Sequence, residues 1–97
     1  MAELFQMRNV KTKPEPIEAN QITSETVTAV ALWCGGVEVV EHDALAHEVT
    51  YPAINVRTVN GMMRAQEGDW IIRRPAGDFY PVKAGRFEEL FEAVVNA

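Results

Sequence analysis

Asn60-Gly61 constrains this chain more than any other feature, because it sits between two extended runs and best tolerates the two positive φ angles of a type I′ hairpin turn. A two-residue turn there sets a register. Counting outward pairs Val59 with Met62, Thr58 with Met63, Arg57 with Arg64 and Val56 with Ala65. Alternation then places Ile54, Val56, Thr58, Met63 and Ala65 on one face, with Arg57 and Arg64 directly opposed on the other. Opposed like charges cost stability unless an anion or carboxylate lies between them.

Further turns follow. Glu67-Gly68 leads into Asp69-Trp70-Ile71-Ile72-Arg73, and Pro75-Ala76-Gly77-Asp78 reverses the chain into Phe79-Tyr80-Pro81-Val82. Three or four short antiparallel strands are therefore expected between Ala53 and Val82. Phe87, Leu90, Phe91 and Val94 then recur at i, i+3, i+4 and i+7, with Glu88, Glu89 and Glu92 off that stripe, which predicts a helix laid across one face of a small sheet.

Upstream of the hairpin the signals are weaker. Residues 1–13 carry Arg8, Lys11 and Lys13 and few large apolar side chains, Leu4, Phe5 and Met7 among them, and read as an N-terminal arm suited to reaching a neighbouring subunit. Residues 14–97 read as a single domain. Pro14-Glu15-Pro16 forces extended backbone into a first strand over Ile17–Ile22, placed at a sheet edge because of its prolines. Thr23 or Ser24 supplies an N-cap for a helix whose buried stripe is Val27, Val30, Ala31 and Cys34 and whose stop signal is Gly35-Gly36. Val37 to Glu41 reads as another strand, and the HDALAHEVTYP segment after it as a loop or a short helical turn. The fold class expected is α+β: a small, bent, mostly antiparallel sheet, one helix after the first strand and one C-terminal helix.

The net charge of −5 conceals two halves of opposite sign. Glu15, Glu18, Glu25, Glu38, Glu41, Asp43 and Glu48 lie in a stretch from Pro14 to Pro52 that contains no Lys or Arg. From Ala53 to Arg86, by contrast, Arg57, Arg64, Arg73, Arg74, Lys83 and Arg86 outnumber Glu67, Asp69 and Asp78. Overall acidity disfavours binding along an extended nucleic-acid backbone, while a local arginine group suits a small anion. Mutual neutralisation of the halves across the fold is the simpler outcome.

Catalytic signatures are missing. There is no Gly-x-Ser-x-Gly and no phosphate-cradling glycine loop, and His42 and His47, five residues apart, do not share a helical face as zinc ligands would. Cys34, the single cysteine, reads as a small buried core residue, and Glu67-Gly68-Asp69 as a tight turn in which the Asp side chain accepts backbone amides. No enzyme activity, metal or cofactor is therefore expected. The surface aromatics are more suggestive. Trp70 and Ile72 share one face of their strand, Ile71 and Arg73 the other, and Phe79 and Tyr80 point to opposite sides of theirs. Either Trp70 and Phe79 fill the space under the C-terminal helix with Tyr80 at its edge, or an aromatic beside Arg57, Arg64 or Arg73 makes a stacking platform with a cationic fork.

Residues 61–92 read GMMRAQEGDWIIRRPAGDFYPVKAGRFEELFE, close to a pattern G-x-M-x-A-x-x-G-D-W/Y-I-I-R, then G-x-F/Y-P, then F-E-x-x-Y/F-E, and are preceded upstream by Lys13-Pro14-Glu15-Pro16-Ile17-Glu18-Ala19. This pattern resembles a family of small uncharacterised proteins of tailed bacteriophages and prophages. The resemblance transfers no catalytic or binding role to any residue. It implies a context, namely a phage accessory or structural protein in the host cytoplasm or on the virion. The function expected is non-enzymatic binding of a host or phage protein, through the face bearing Arg57, Arg64 and Arg73 or through the acidic half. Two other readings belong beside it. One is a homo-oligomeric sponge for a host signalling nucleotide, with arginines on phosphate and Trp70 or Tyr80 on the base; the other is a minor capsid protein anchored by its arm. No membrane span is expected, since no apolar run approaches the length needed.

Overall fold

Two antiparallel sheets and two helices form the protein in the computed structural model, which describes residues 3–8, 16–46 and 48–94. This is the expected α+β class. The strands and helices, in chain order, are β1 (Glu3–Met7), β2 (Ile17–Gln21), α1 (Val27–Cys34), β3 (Val37–His42), β4 (Thr50–Thr58), β5 (Gly61–Gln66), β6 (Trp70–Arg73), β7 (Phe79–Val82), α2 (Ala84–Leu90) and β8 (Phe91–Ala93). One sheet runs β7-β6-β2-β1-β8 and the other β3-β4-β5.

The period-2 alternation of β6 explains the layering. Ile72 points to the side closed by α2, where Phe5, Ala19, Phe87 and Phe91 complete a buried cluster with Trp70, Tyr80 and Leu90 around it. Ile71 points the other way, into a cluster with Ile22, the α1 stripe Val27, Val30, Ala31 and Cys34, and Ile54, Val56 and Ala65 of the second sheet. The five-stranded sheet is thus covered by α2 on one side and by α1 with the second sheet on the other.

Several local expectations are corrected by these long-range pairings. Residues Glu3–Met7 are no arm: they form an interior strand, β1, paired with β2 through Phe5↔Ile17 and with β8 through Met7↔Phe91. For the same reason β2 is not an edge strand. Its prolines precede the ladder, so its amides pair on both sides, with β1 and with β6. Residues 1, 2 and 9–13 of the expected arm lie outside the described residues. The final helix stops at Leu90, because Phe91 is extended (φ −126°, ψ 154°) and joins β8. Arg8 closes that helix end, its backbone N–H donating to the Leu90 carbonyl at 2.8 Å and its Nε to the Glu88 carbonyl at 2.9 Å.

The hairpin register is also displaced. Thr58 pairs with Gly61, Arg57 with Met62 and Asn55 with Arg64, so Val59 and Asn60 form the loop and Gly61, at φ 103°, opens β5. A two-residue Val59-Asn60 loop followed by a positive-φ glycine accommodates the x-Asn-Gly sequence as well as a turn centred on Asn60-Gly61 does. The displacement preserves each residue's face, as expected for Ile54, Val56, Thr58, Met63 and Ala65, but Arg57 and Arg64 become diagonal neighbours instead of opposing each other.

Helix α1 starts later than an N-cap at Thr23 or Ser24 would place it, with Thr26 as the N-cap. Thr23 and Thr26 exchange backbone-to-hydroxyl bonds at 2.9 and 3.1 Å, forming a turn before the helix proper begins at Val27. Gly35 ends it in the left-handed conformation (φ 66°), and the Gly36 N–H reaches back to the Ala31 carbonyl at 2.9 Å. At Gly36 a Cβ would lie 2.6 Å from Ile54 Cγ2 and 2.8 Å from the Asn55 carbonyl oxygen. Gly36→Ala is therefore expected to destabilise the fold by about 2 kcal/mol or more, since backbone cannot yield as a side-chain tip does. A urea midpoint unchanged by this substitution would show that α1 does not pack this closely on β4.

Candidate functional site

The sequence-predicted arginines do not converge. Arg57 and Arg64 share the outer face of the three-stranded sheet, while Arg73 belongs to the other sheet. Each responds to its own surroundings. Arg64 Nε donates to Asn55 Oδ1 at 2.9 Å and its guanidinium lies 3.6 Å from Glu41, whereas Arg73 meets Glu18 at 3.0 Å. Arg57 is exposed and, among the described residues, makes no ion pair. Glu18–Arg73 and Glu41–Arg64 join the acidic half to the basic half, so part of the opposed charge is neutralised internally. Such exposed pairs stabilise little.

The aromatics are occupied as well. Trp70 is half-buried and stacks on Phe87 at 4.2 Å between ring centroids with the planes 6° apart, and Phe5 meets its edge at 5.1 Å. Phe79 faces the opposite side of the sheet and packs edge-on against Trp33 at 4.9 Å, so it does not lie under α2 with Trp70. Tyr80 stands at the margin of the α2 cluster with the Arg74 guanidinium 5.1 Å from its ring centroid. That cation–π contact comes from Arg74, which sequence reasoning did not single out. Arg74 also forms a short ion pair with Asp78 across the turn, and its hydrogen bond holds the Asp78 carboxyl below the usual carboxylate range. A groove of about 190 Å³ lined by Pro16, Glu18, Arg73, Arg74 and Pro75 opens beside it, smaller than the roughly 300 Å³ at which ligand pockets begin.

The remaining reactive groups have structural surroundings. Asp69 is buried; its Oδ2 accepts the Gln66 N–H at 2.9 Å and the Lys83 ammonium at 3.1 Å, as a turn-closing residue does. Cys34 is buried, and desolvation raises its thiol pKa, the reverse of what a nucleophile needs. His42 lies at the end of β3, and His47 lies outside the described residues. Among the described residues no three His, Cys, Asp or Glu side chains converge as metal ligands, and no helix is long and apolar enough to cross a membrane.

What sequence reasoning left open is an exposed hairpin. Beyond the end covered by α1, β3 and β4 continue as a hairpin on which residues of both faces are exposed. Val40, on the face that α1 covers lower down, is 60% accessible; Tyr51, on the opposite face, is 40% accessible; and Leu45, at the tip, is 97% accessible. The tip is nevertheless organised. Asp43 Oδ1 accepts the amides of Leu45 and Ala46 at 2.8 and 2.9 Å, Oδ2 accepts the Tyr51 hydroxyl at 3.2 Å, and the Asp43 N–H donates to the Val49 carbonyl at 2.9 Å. The two amides are the main cause of an Asp43 pKa below its ordinary value. A signal was present in the sequence: Leu45 and Val49 stand i, i+4 apart, but no large apolar residue at 41, 42, 52 or 53 continues that spacing, so the pair belongs to no longer stripe. No family model matches the chain, and neither a curated protein nor a solved structure matches it.

Proposed function

We propose that this protein is a non-enzymatic bacteriophage accessory protein that binds a host or phage protein through its acidic half, with the distal β3–β4 hairpin as the contacting element. The observation that carries this reading is Leu45, 97% accessible at the tip of a hairpin whose turn Asp43 bridges through two backbone amides. An exposed, pre-organised apolar side chain beside others of its kind suits an interface anchor, because little ordering entropy remains to be lost on contact. Val40, Val49 and Tyr51 supply the neighbouring apolar surface, and Glu41, Asp43 and Glu48 form an acidic rim. The phage context rests on the resemblance of residues 61–92.

Native mass spectrometry of the protein recovered gently from infected cells tests this reading. A protein at fixed ratio is expected with the parent chain, and it should be lost with Leu45→Asp, a substitution that leaves the thermal midpoint unchanged because Leu45 touches no core residue. Retention of that partner by Leu45→Asp removes the hairpin from the contact. A homo-oligomer carrying extra mass of nucleotide size replaces the binding module with the sponge.

A further inference from the structure

Strand β3 is an edge of the three-stranded sheet, and of the devices that close an edge it carries only charged side chains, Glu38 and Glu41. Its six residues, Val37 to His42, keep unbroken register with β4 and include no proline, lysine or bulge. Which backbone groups face outward follows from Asp43, whose N–H reaches the Val49 carbonyl. Antiparallel ladders alternate inward and outward groups with a period of two, so Val37, Val39 and Glu41 also address β4. The amide and carbonyl groups of Glu38 and Val40 therefore point away from the sheet. Among the described residues no strand pairs with this side of β3.

Resting on the protein-binding reading above, we infer that β3 takes up an extended basic segment of the partner protein as an added antiparallel strand. Backbone pairing with Glu38 and Val40 would supply the affinity, and the side chains around them the choice of sequence. Charge selects the occupant. Glu38, Glu41, Asp43 and Glu48 lie on or next to the edge strand in sequence, the stretch from Pro16 to Pro52 contains no Lys or Arg, and among the described residues only Glu41 of these four is met by an arginine. A strand with Lys or Arg at alternate positions complements that field, with apolar residues between them against Val40 on the same edge. A second copy of β3 does not suit it, because self-pairing brings two sets of these carboxylates together with no cation between them.

The test uses the full chain and an acetylated, amidated decapeptide of alternating Lys and Val. Titration followed by amide exchange is expected to slow the Glu38 and Val40 amides by about tenfold or more, leave Val39 and Glu41 unchanged, and weaken as salt is added. Val40→Pro deletes one outward N–H without removing a ladder bond to β4. It should keep the parent urea midpoint and weaken the peptide by about tenfold or more. Equal peptide affinity in Val40→Pro, protection elsewhere on the protein, or no binding at millimolar peptide overturns the inference. A concentration-dependent dimer that Val40→Pro abolishes would also overturn it, by making a second copy the occupant. The two readings separate cleanly: a co-purifying partner retained by Val40→Pro but lost by Leu45→Asp sinks strand addition alone, whereas peptide pairing at β3 without any partner in infected cells sinks the protein-binding function.

Discussion

A chain lacking its first seven residues is expected to lose cooperative thermal unfolding altogether. Those residues contain β1, the strand between β2 and β8, so their removal exposes one whole side of the β2 ladder and leaves β8 without a partner. It also takes Phe5 out of the aromatic cluster, where its ring lies 4.8 Å from Phe87 and 5.1 Å from Trp70. Loss of a buried Phe alone costs about 3–5 kcal/mol, and a domain of this size has about 5–15 kcal/mol in total. Loss of the ladder on both sides of β1 adds to that. Circular dichroism during heating reads the result directly: the full chain should melt in one sigmoidal step, and the truncated chain should drift without one. A sharp transition in the truncated chain within a few degrees of the parent would return residues 3–7 to the status of an arm. The point substitution Phe5→Ala separates packing from pairing, since it keeps the β1 backbone in place and should cost only the first part.

Phe87→Ala is the second large effect, with an expected loss of about 3–5 kcal/mol. Phe87 is 2% accessible and is the one buried side chain among the described residues of α2. Its ring contacts Phe5, Trp70 and Phe91, so truncation opens a cavity at the centre of the cluster that joins α2 to the sheet. A seven-residue helix has too few internal hydrogen bonds to persist without that contact. Urea unfolding should show a lower midpoint at unchanged slope, and the near-ultraviolet signal of Trp70 should weaken in the folded state because its stacking partner is gone. A loss under about 1 kcal/mol would mean that α2 is seated by some other side chain.

Much of the fold was legible because its signals are local. The α1 stripe of Val27, Val30, Ala31 and Cys34, the Gly35 stop, and the core-facing set Ile54, Val56, Thr58, Met63 and Ala65 all follow from side-chain periodicity. Even the shifted hairpin kept those faces, since moving the turn by one position changes which residues are opposite without changing which side they occupy. Phe91 shows where periodicity misled. Its spacing from Phe87 suits a helix, yet a short strand that pairs with β1 brings the same side chain into the same cluster.

The candidate binding residues were less legible, because a site depends on which strands become neighbours. Sequence alternation placed Arg57 and Arg64 on one face and sent Phe79 and Tyr80 to opposite faces. It did not specify that Arg64 would meet Glu41, that Arg73 would meet Glu18, or that Phe79 would find Trp33 instead of α2. What the sequence alone determined was the character of each element: its period, its apolar face, its turns and the segregation of charge along the chain. The tertiary structure alone decided that residues 3–7 form an interior strand, that the arginines are dispersed, and that β3 is left as an open edge. Periodicity is a property of a few consecutive residues, whereas strand order depends on pairing between segments such as Met7 and Phe91, and no local pattern encodes that partner.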